Sequence, residues 1–267
     1  NPVDRILILD DGARLLSQVG AFTNLNVWVG PIQINGGVTN ETRNNVFLTL
    51  AGNMSGGGTL TIISNGTTFF TGDNTAWAGG MYIATGTVDV GKGGTTGNLG
   101  TGSITNVGGR IVFSRTDDYT VPNIFDSVNT LTNPSIVKTG GGTLTLTGAG
   151  STFRGMVILQ NGGLSLGSDT ALGVTNMLYI ASPTTRISSA DGQTRVLGHY
   201  LWWHTASGPN FVGSGEFVWT NIVFNGGLPK FLTVSNPAVT FTNTAPWTGA
   251  GTVTKYGPGE LRLYNQV

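Results

Sequence analysis

Short apolar runs separated by glycine-rich segments recur along this chain. The clearest are Thr143–Thr147, Met156–Leu159 and Leu164–Leu166, and in the first and third of these apolar and polar residues alternate strictly. Alternation places successive side chains on opposite faces of an extended strand, so these runs predict β-strands with one buried face. The corners between them are only about 6 to 10 residues apart, too close for helical crossovers. We therefore predict short strands joined by tight bends or short hairpins.

The first 50 residues show the same rhythm. Apolar runs at Ile6–Leu9, Leu25–Val29, Ile32–Ile34 and Val46–Leu50 are punctuated by Asp-Gly, Gly-Pro and Asn-Gly, which are turn signals. The spacing of these runs is typical of a chain that winds into a coil, with a short strand along each side of the coil. The best candidate for a short helix is the region Asp10–Ala21.

Parts of the sequence repeat. Gly140–Leu146, with the sequence GGGTLTL, matches Gly56–Ile62, and Ile136–Leu146 matches Val253–Leu263. The spacing between matching segments changes at the corners while the strands keep their pattern, as in a solenoid that tolerates insertions. We predict a single continuous unit over 1–267, a fragment of a longer exported protein, with repeat-like units at about 56–100, 136–173 and 252–267 and an aromatic-rich section without the repeat at 174–250.

The composition excludes several classes of function. Glycine accounts for 43 of the 267 residues, only 10% of residues are charged, and the 13 basic and 13 acidic residues give no net charge. A nucleic-acid-binding protein needs a basic stripe, and a membrane-surface anchor needs a polybasic segment, so we expect neither partner. No apolar run of about 18 residues is present, which argues against membrane insertion by this segment. The absence of cysteine fits an exported protein stabilised by hydrogen-bonded ladders, although many other proteins also lack cysteine.

The segment from Lys138 to Leu146, continuing through Phe153-Arg154-Gly155 and Asn161-Gly162-Gly163-Leu164 to Ala171-Leu172-Gly173, resembles the autotransporter-associated β-strand repeat. The resemblance, to a family also called the passenger-associated transport repeat, implies a right-handed parallel β-helix at the bacterial cell surface or in the medium. With coils of about 20 residues stacked at about 4.8 Å, about 13 coils would form a rod about 60 Å long.

The aromatic-rich section supplies the candidate contact residues. Leu201-Trp202-Trp203-His204 breaks the alternation, so at least one of the paired tryptophans should point outward. The proposed contact residues for a glycan or partner are Tyr200, Trp202, Trp203 and His204.

Candidate catalytic groups are sparse. The only adjacent acid pairs are Asp10-Asp11 and Asp117-Asp118, and neighbours on a strand point to opposite faces, so neither pair forms a catalytic dyad by itself. Arg110, Arg115 and Asp117 could meet across coils, most simply as surface ion pairs. His199 and His204 have no cysteine or acid at metal-ligand spacing. We therefore predict no enzymatic activity, no catalytic residues, no metal and no cofactor.

The sequence thus favours a structural or adhesive β-helix that forms part of a rod or filament. Its expected partners are copies of itself, end to end or side by side, or the rest of a longer chain, because both ends of the sequence are apolar strands without polar caps. A surface glycan is a further candidate partner. The alternative is a carbohydrate-binding or polysaccharide-degrading β-helix with its site beside Trp202 and Trp203.

Overall fold

The alternation of apolar and polar residues in the sequence becomes an alternation of buried and exposed side chains in the structure. The computed structural model describes residues 5–18, 25–43, 45–127, 135–174, 176–203, 207–224 and 229–264. In these ranges the chain contains strands and turns but no helix, and it winds into a parallel β-solenoid of about 11 turns with about 22 residues per turn. The predicted fold, an all-β parallel β-helix, is confirmed.

The strands are short and follow one another around each turn. In the first four turns they are β1 (Leu7–Leu9), β2 (Arg14–Ser17), β3 (Leu25–Trp28), β4 (Ile32–Ile34), β5 (Val38–Thr42), β6 (Phe47–Leu50), β7 (Met54–Gly56), β8 (Leu60–Phe70), β9 (Ala76–Trp77) and β10 (Met81–Val90). The middle turns contain β11 (Ile104–Asn106), β12 (Arg110–Phe113), β13 (Tyr119–Val121), β14 (Phe125–Asp126), β15 (Ser135–Lys138), β16 (Thr143–Leu146), β17 (Met156–Leu159) and β18 (Gly163–Leu166). The last turns contain β19 (Met177–Ile180), β20 (Arg186–Ser189), β21 (Arg195–Leu197), β22 (Tyr200–Trp203), β23 (Ser207–Phe211), β24 (Gly215–Trp219), β25 (Val223–Phe224), β26 (Lys230–Val234), β27 (Val239–Asn243), β28 (Trp247–Thr248), β29 (Val253–Tyr256) and β30 (Glu260–Leu263).

Two details differ from the sequence predictions. The turns are fewer and longer than predicted, because corner segments such as 91–97 add residues between strands without adding a coil. At the usual strand spacing the rod is about 50 Å long rather than about 60 Å. The best candidate for a helix, Asp10–Ala21, is not helical at residues 14–17, which form strand β2 and pair with β5. Residues 19–21 of that segment lie outside the described residues.

The strands stack into parallel sheets whose composition changes along the axis. A 15-stranded sheet runs from β2 in the first turn to β28 in the last, while β1, β4, β7 and β9 form a four-stranded sheet at one end. A seven-stranded sheet begins at β13, and the sheet of β21, β24, β27 and β30 begins at Arg195. Because β21 is the first strand of its sheet, side-chain contacts connect it to the preceding turn. Arg195 Nε donates to the Leu166 carbonyl at 2.9 Å, and the Val196 amide donates to Asp169 Oδ1 at 3.1 Å. Side chains thus supply hydrogen bonds to the turn before at the first strand of this sheet.

The interior consists of columns of apolar side chains, one from each turn. Leu144, Leu146, Val157, Leu164 and Leu166 are all buried, whereas Ile158 points outward. Another interior column is formed by Cα partners on successive strands, namely Val90, Phe113, Lys138, Leu159, Ile180 and Trp203.

The glycine corner of the repeat has two tight positions and one open position. A Cβ on Gly140 would lie 1.7 Å from the Arg115 carbonyl oxygen, and a Cβ on Gly142 would lie 1.9 Å from that of Asp117. A Cβ on Gly141 would meet nothing within 4 Å. The outer two glycines therefore allow close stacking on the preceding turn, whereas the middle residue faces open space.

The other two copies have the same arrangement. Gly56 and Gly58 would place a Cβ 2.2 Å and 2.3 Å from backbone oxygens of the preceding turn, and Gly57 is open. In the third copy the exposed Pro258 takes the open position between Gly257 and Gly259. The sequences Gly-Gly-Gly and Gly-Pro-Gly thus satisfy the same steric requirement.

The sequence copies do not occupy equivalent places in the solenoid. The strand that follows the glycine corner is β8 in the 15-stranded sheet, β16 in the seven-stranded sheet and β30 in the four-stranded sheet that begins at β21. The repeat is therefore a strand-and-corner unit that fits several faces, and its spacing is not a whole number of turns.

Candidate functional site

The paired tryptophans predicted as contact residues point in opposite directions. Trp202 lies on the outer face and is 38% exposed, whereas Trp203 is completely buried and packs edge-on against Trp247 with ring centroids 5.6 Å apart. Trp203 is therefore a core residue and exposes no surface to a glycan or partner. Tyr200 is half-buried, and His204 lies outside the described residues.

Trp202 belongs to a patch of large side chains on the outer face of the 15-stranded sheet. Tyr179 is its Cα partner on the preceding turn, and their rings meet at 84° with centroids 5.6 Å apart. Tyr200 continues a second outward column that contains Met177 and the exposed Met156. We call Met156, Tyr179, Tyr200 and Trp202 the outer aromatic patch.

A second surface feature was not predicted from the sequence. A groove of about 400 Å³ lies beside Tyr82 of β10, whose side chain is 41% exposed. The groove crosses three consecutive turns, and its outward lining, here called the Tyr82 groove, consists of Thr59, Thr61, Gly80, Tyr82, Ser103 and Thr105.

The acid pairs noted in the sequence are used in backbone contacts and an ion pair. Asp11 Oδ1 accepts the Gly37 amide at 2.9 Å, and Asp118 Oδ1 accepts the Thr143 amide at 2.6 Å, each from the following turn. Asp117 pairs with Arg115 at 2.5 Å, and this hydrogen bond lowers the pKa of the Asp117 carboxyl.

The Arg115 guanidinium has further partners besides Asp117. It lies 4.4 Å from the centroid of the Tyr119 ring and donates to the Gly97 carbonyl at 2.9 Å. Of the three residues expected to meet across coils, Arg115 and Asp117 form an ion pair. Among the described residues Arg110 makes no ion pair with Asp117.

Asp89 holds a corner loop against the outer face. Its Oδ1 accepts the Ser114 hydroxyl at 2.5 Å and the Lys92 amide at 3.0 Å, and burial raises the pKa of its carboxyl. Lys92, at φ 52°, reaches back over the Phe69 ring at 4.8 Å and donates to Thr49 Oγ1 at 3.1 Å. These contacts fix the loop to neighbouring turns.

Asparagines link the turns at another corner. Asn74 Oδ1 accepts the Met54 amide at 2.9 Å, and Asn98 Oδ1 accepts the Asn74 amide at 3.0 Å. Asn98 Nδ2 donates to Asp73 Oδ1 at 2.9 Å, which lowers the pKa of the Asp73 carboxyl. At this corner, hydrogen bonds from polar side chains therefore connect successive turns.

The end turns leave apolar side chains open. Leu144 and Leu146 of β16 are buried by the next turn, whereas their counterparts in β30 are the half-buried Leu261 and Leu263, which is 45% exposed. At the other end a groove of about 410 Å³ is lined largely by apolar residues of the first two turns, among them Leu7, Leu15, Trp28 and Leu50. On their outer sides β1 and β30 have no paired strand among the described residues.

Comparison with protein-family models, with curated proteins and with solved structures gave no match. Within the described ranges, no group of three His, Cys, Asp or Glu side chains is placed to hold a metal ion. No helix long and apolar enough to cross a membrane occurs in the described part of the chain.

Proposed function

We propose that this protein is a non-enzymatic, extracellular structural or adhesive β-helix of a bacterial surface protein, and that it forms part of a rod or filament. The observation that carries the proposal is that, among the described residues, the outer edges of β1 and β30 are unpaired and lie beside incompletely buried apolar side chains. Unpaired strand edges above an exposed apolar core are a template for a further parallel strand.

The ladder would continue at these edges with the rest of a longer chain or with a second copy of this chain stacked head to tail, and the assembly test addresses the second copy. Contacts between two different ends are heterologous, and such contacts generate filaments unless the rotation closes a ring. The absence of net charge supports association, since copies carry little mutual repulsion. The extracellular location rests on the resemblance to the autotransporter-associated repeat and on the absence of cysteine.

The use of the polar side chains supports a structural role over an acid-base one. Glycoside hydrolysis needs two carboxyl groups about 5 to 10 Å apart beside a bound sugar. Asp11, Asp118 and Asp169 accept backbone amides of neighbouring turns, and Asp117 is paired with Arg115. These carboxylates stabilise the solenoid.

Assembly can be tested with variants that alter one end at a time. Leu263→Lys places a charge at the last turn, and Leu7→Lys places one at the first turn. Ile63→Lys is the matched control, because Ile63 is 49% exposed on the side of the rod. Sedimentation velocity and electron microscopy should show concentration-dependent rods for the wild type and Ile63→Lys, and monomers for each end variant.

Mixing the two end variants tests the head-to-tail geometry. Each variant keeps one intact end, so the mixture should form dimers and nothing longer. A wild-type chain that stays monomeric at high concentration, or end variants that assemble like the wild type, would refute the stacking of copies.

A further inference from the structure

We propose that the Tyr82 groove binds a neutral saccharide unit. This inference rests on the adhesive part of the proposed function and gives it a ligand class. It depends on no assembly of the rod, because the groove lies on the side of the third, fourth and fifth turns.

The groove is formed by two outward columns of residues. Thr61, Tyr82 and Thr105 are Cα partners on successive turns, so a hydroxyl lies on each side of the tyrosine ring along the axis. The parallel column two residues earlier has Gly80 between two further hydroxyl residues, Thr59 and Ser103.

Gly80 is what opens the depression. It has no side chain between Thr59 and Ser103, so the backbone forms the floor of the groove beside the Tyr82 ring. A Cβ at this position would lie 3.2 Å from the Ser103 carbonyl oxygen, a contact that a small local shift relieves. A side chain is therefore compatible with the fold here, and a large one would fill the groove.

The chemistry of the lining matches a sugar ring. A pyranose presents a face of C–H groups and a rim of hydroxyls. An exposed tyrosine offers an apolar ring with a polar tip, and serine and threonine hydroxyls both donate and accept hydrogen bonds. Among the described residues, the hydroxyls of Thr59, Thr61, Ser103 and Thr105 have no hydrogen-bond partner, so their full capacity faces the groove.

The absence of charge from the lining selects a neutral ligand. In the part of the chain that the structure describes, no lysine, arginine, aspartate or glutamate lines the groove. The next residue in the Tyr82 column is Asp126, whose Oδ1 already accepts the Thr152 hydroxyl at 2.6 Å. An acidic sugar would therefore find no cation at the site, and it would bring a negative charge towards this carboxylate.

The binding test uses cellohexaose, chitohexaose and maltohexaose as neutral probes and hexagalacturonate as an acidic probe, measured by calorimetry and by NMR shifts. We expect at least one neutral hexasaccharide to bind and the acidic one to bind at least about tenfold more weakly. Gly80→Leu and Tyr82→Ala should each weaken binding about tenfold or more, and Thr61→Val should weaken it several-fold.

Tyr256→Ala is the matched control, because it removes another exposed tyrosine side chain, on β29 of the last turn, and leaves the groove intact. It should keep wild-type affinity. Thermal unfolding of each variant reports on folding, and Tyr82→Ala and Thr61→Val keep the test informative if Gly80→Leu does not fold.

Three results would overturn the inference: no binding of any neutral probe at millimolar concentration, equal or tighter binding of hexagalacturonate, or loss of binding in Tyr256→Ala with retention in Tyr82→Ala. Failure of the rod proposal is separately visible, since the end variants Leu7→Lys and Leu263→Lys should bind saccharide as the wild type does.

Discussion

Lys138 lies inside the solenoid, and its Nζ donates a hydrogen bond to the carbonyl oxygen of Gly140 two residues later. The third repeat copy contains the same contact, from Lys255 Nζ to the Gly257 carbonyl at 2.5 Å. In each case the lysine closes the corner that leads into the glycine motif. The lysine side chain thus fixes the conformation of the corner. Lys138 does so at a position that an apolar residue occupies on the neighbouring turns.

Replacing Lys138 with methionine should stabilise the protein at pH 7 by about 1–3 kcal/mol. Burial lowers the pKa of Lys138 to about 8, the positive charge of Arg186 contributes in the same direction, and Asp118 opposes it. The unfolded lysine titrates near 10.5, so between pH 8 and 10.5 the unfolded state binds more protons and the wild type gains stability as pH rises.

The difference between Lys138→Met and the wild type should therefore be constant below pH 8 and shrink above it. Urea unfolding at pH 7 and pH 10 measures this. Lys255→Met is the control, with a small effect at both pH values, because Lys255 is only half-buried. A Lys138→Met protein that is less stable at every pH would show that the hydrogen bond from Lys138 to Gly140 contributes more to stability than burying the lysine costs.

His199 should make the protein sensitive to acid. Its ring is buried, neither nitrogen has a hydrogen-bond partner among the described residues, and burial lowers its pKa to about 4. Because the unfolded histidine binds a proton near pH 6.5, its contribution to stability is present above that pH and is lost as pH falls towards 4.

His199→Leu should reduce the loss of stability between pH 6.5 and pH 4 by up to about 3 kcal/mol. The measurement is the urea midpoint of both proteins across that range. The carboxylates contribute to acid unfolding in both proteins, so the difference between the two curves isolates His199. Parallel curves would contradict the prediction.

The two adjacent tryptophans should differ sharply in their effect on stability. Trp203→Ala removes a fully buried ring and should cost about 3–5 kcal/mol, whereas Trp202→Ala should cost less than about 1 kcal/mol. Thermal and urea unfolding followed by circular dichroism compare the variants directly. Equal losses would mean that the outer aromatic patch is part of the packed structure.

The glycine corner offers a similarly matched comparison. Gly142→Ala forces a Cβ into the Asp117 carbonyl and should destabilise the protein by at least about 2 kcal/mol, and Gly141→Ala should be close to neutral or slightly stabilising. Urea unfolding measures both. A neutral Gly142→Ala would show that the stacked backbones can separate at little cost.

The fold was predictable because its determinants are local. The alternation in Thr143–Leu146 predicted a strand with one buried face, and the close spacing of the glycine corners excluded helical crossovers between strands. The number of turns was overestimated because segments such as 91–97 lengthen a corner without changing the strand pattern. Residues 14–17 were part of the best helix candidate for a similar reason, since a short segment with two adjacent leucines fits either period.

The surface features were predictable only in part. The break in alternation at Trp202-Trp203 required one ring to point outward, but it left open which one. The Tyr82 groove gave no signal in the sequence, because Thr61 and Thr105 become its neighbours only through strand register across turns of unequal length. Such a site depends on the stacking of turns, and no short motif encodes it.

The open middle position of the glycine corner makes the rod straightforward to calibrate. Residues 57, 141 and 258 all face solvent in the three copies, and the native chain contains no cysteine. Single Gly57→Cys, Gly141→Cys and Pro258→Cys changes would place one thiol each on the third, sixth and last turns. Combined in pairs and labelled with dyes, these sites would report distances set by the number of turns between them and by the face on which each corner lies, and the same labels would measure how copies are arranged on a surface.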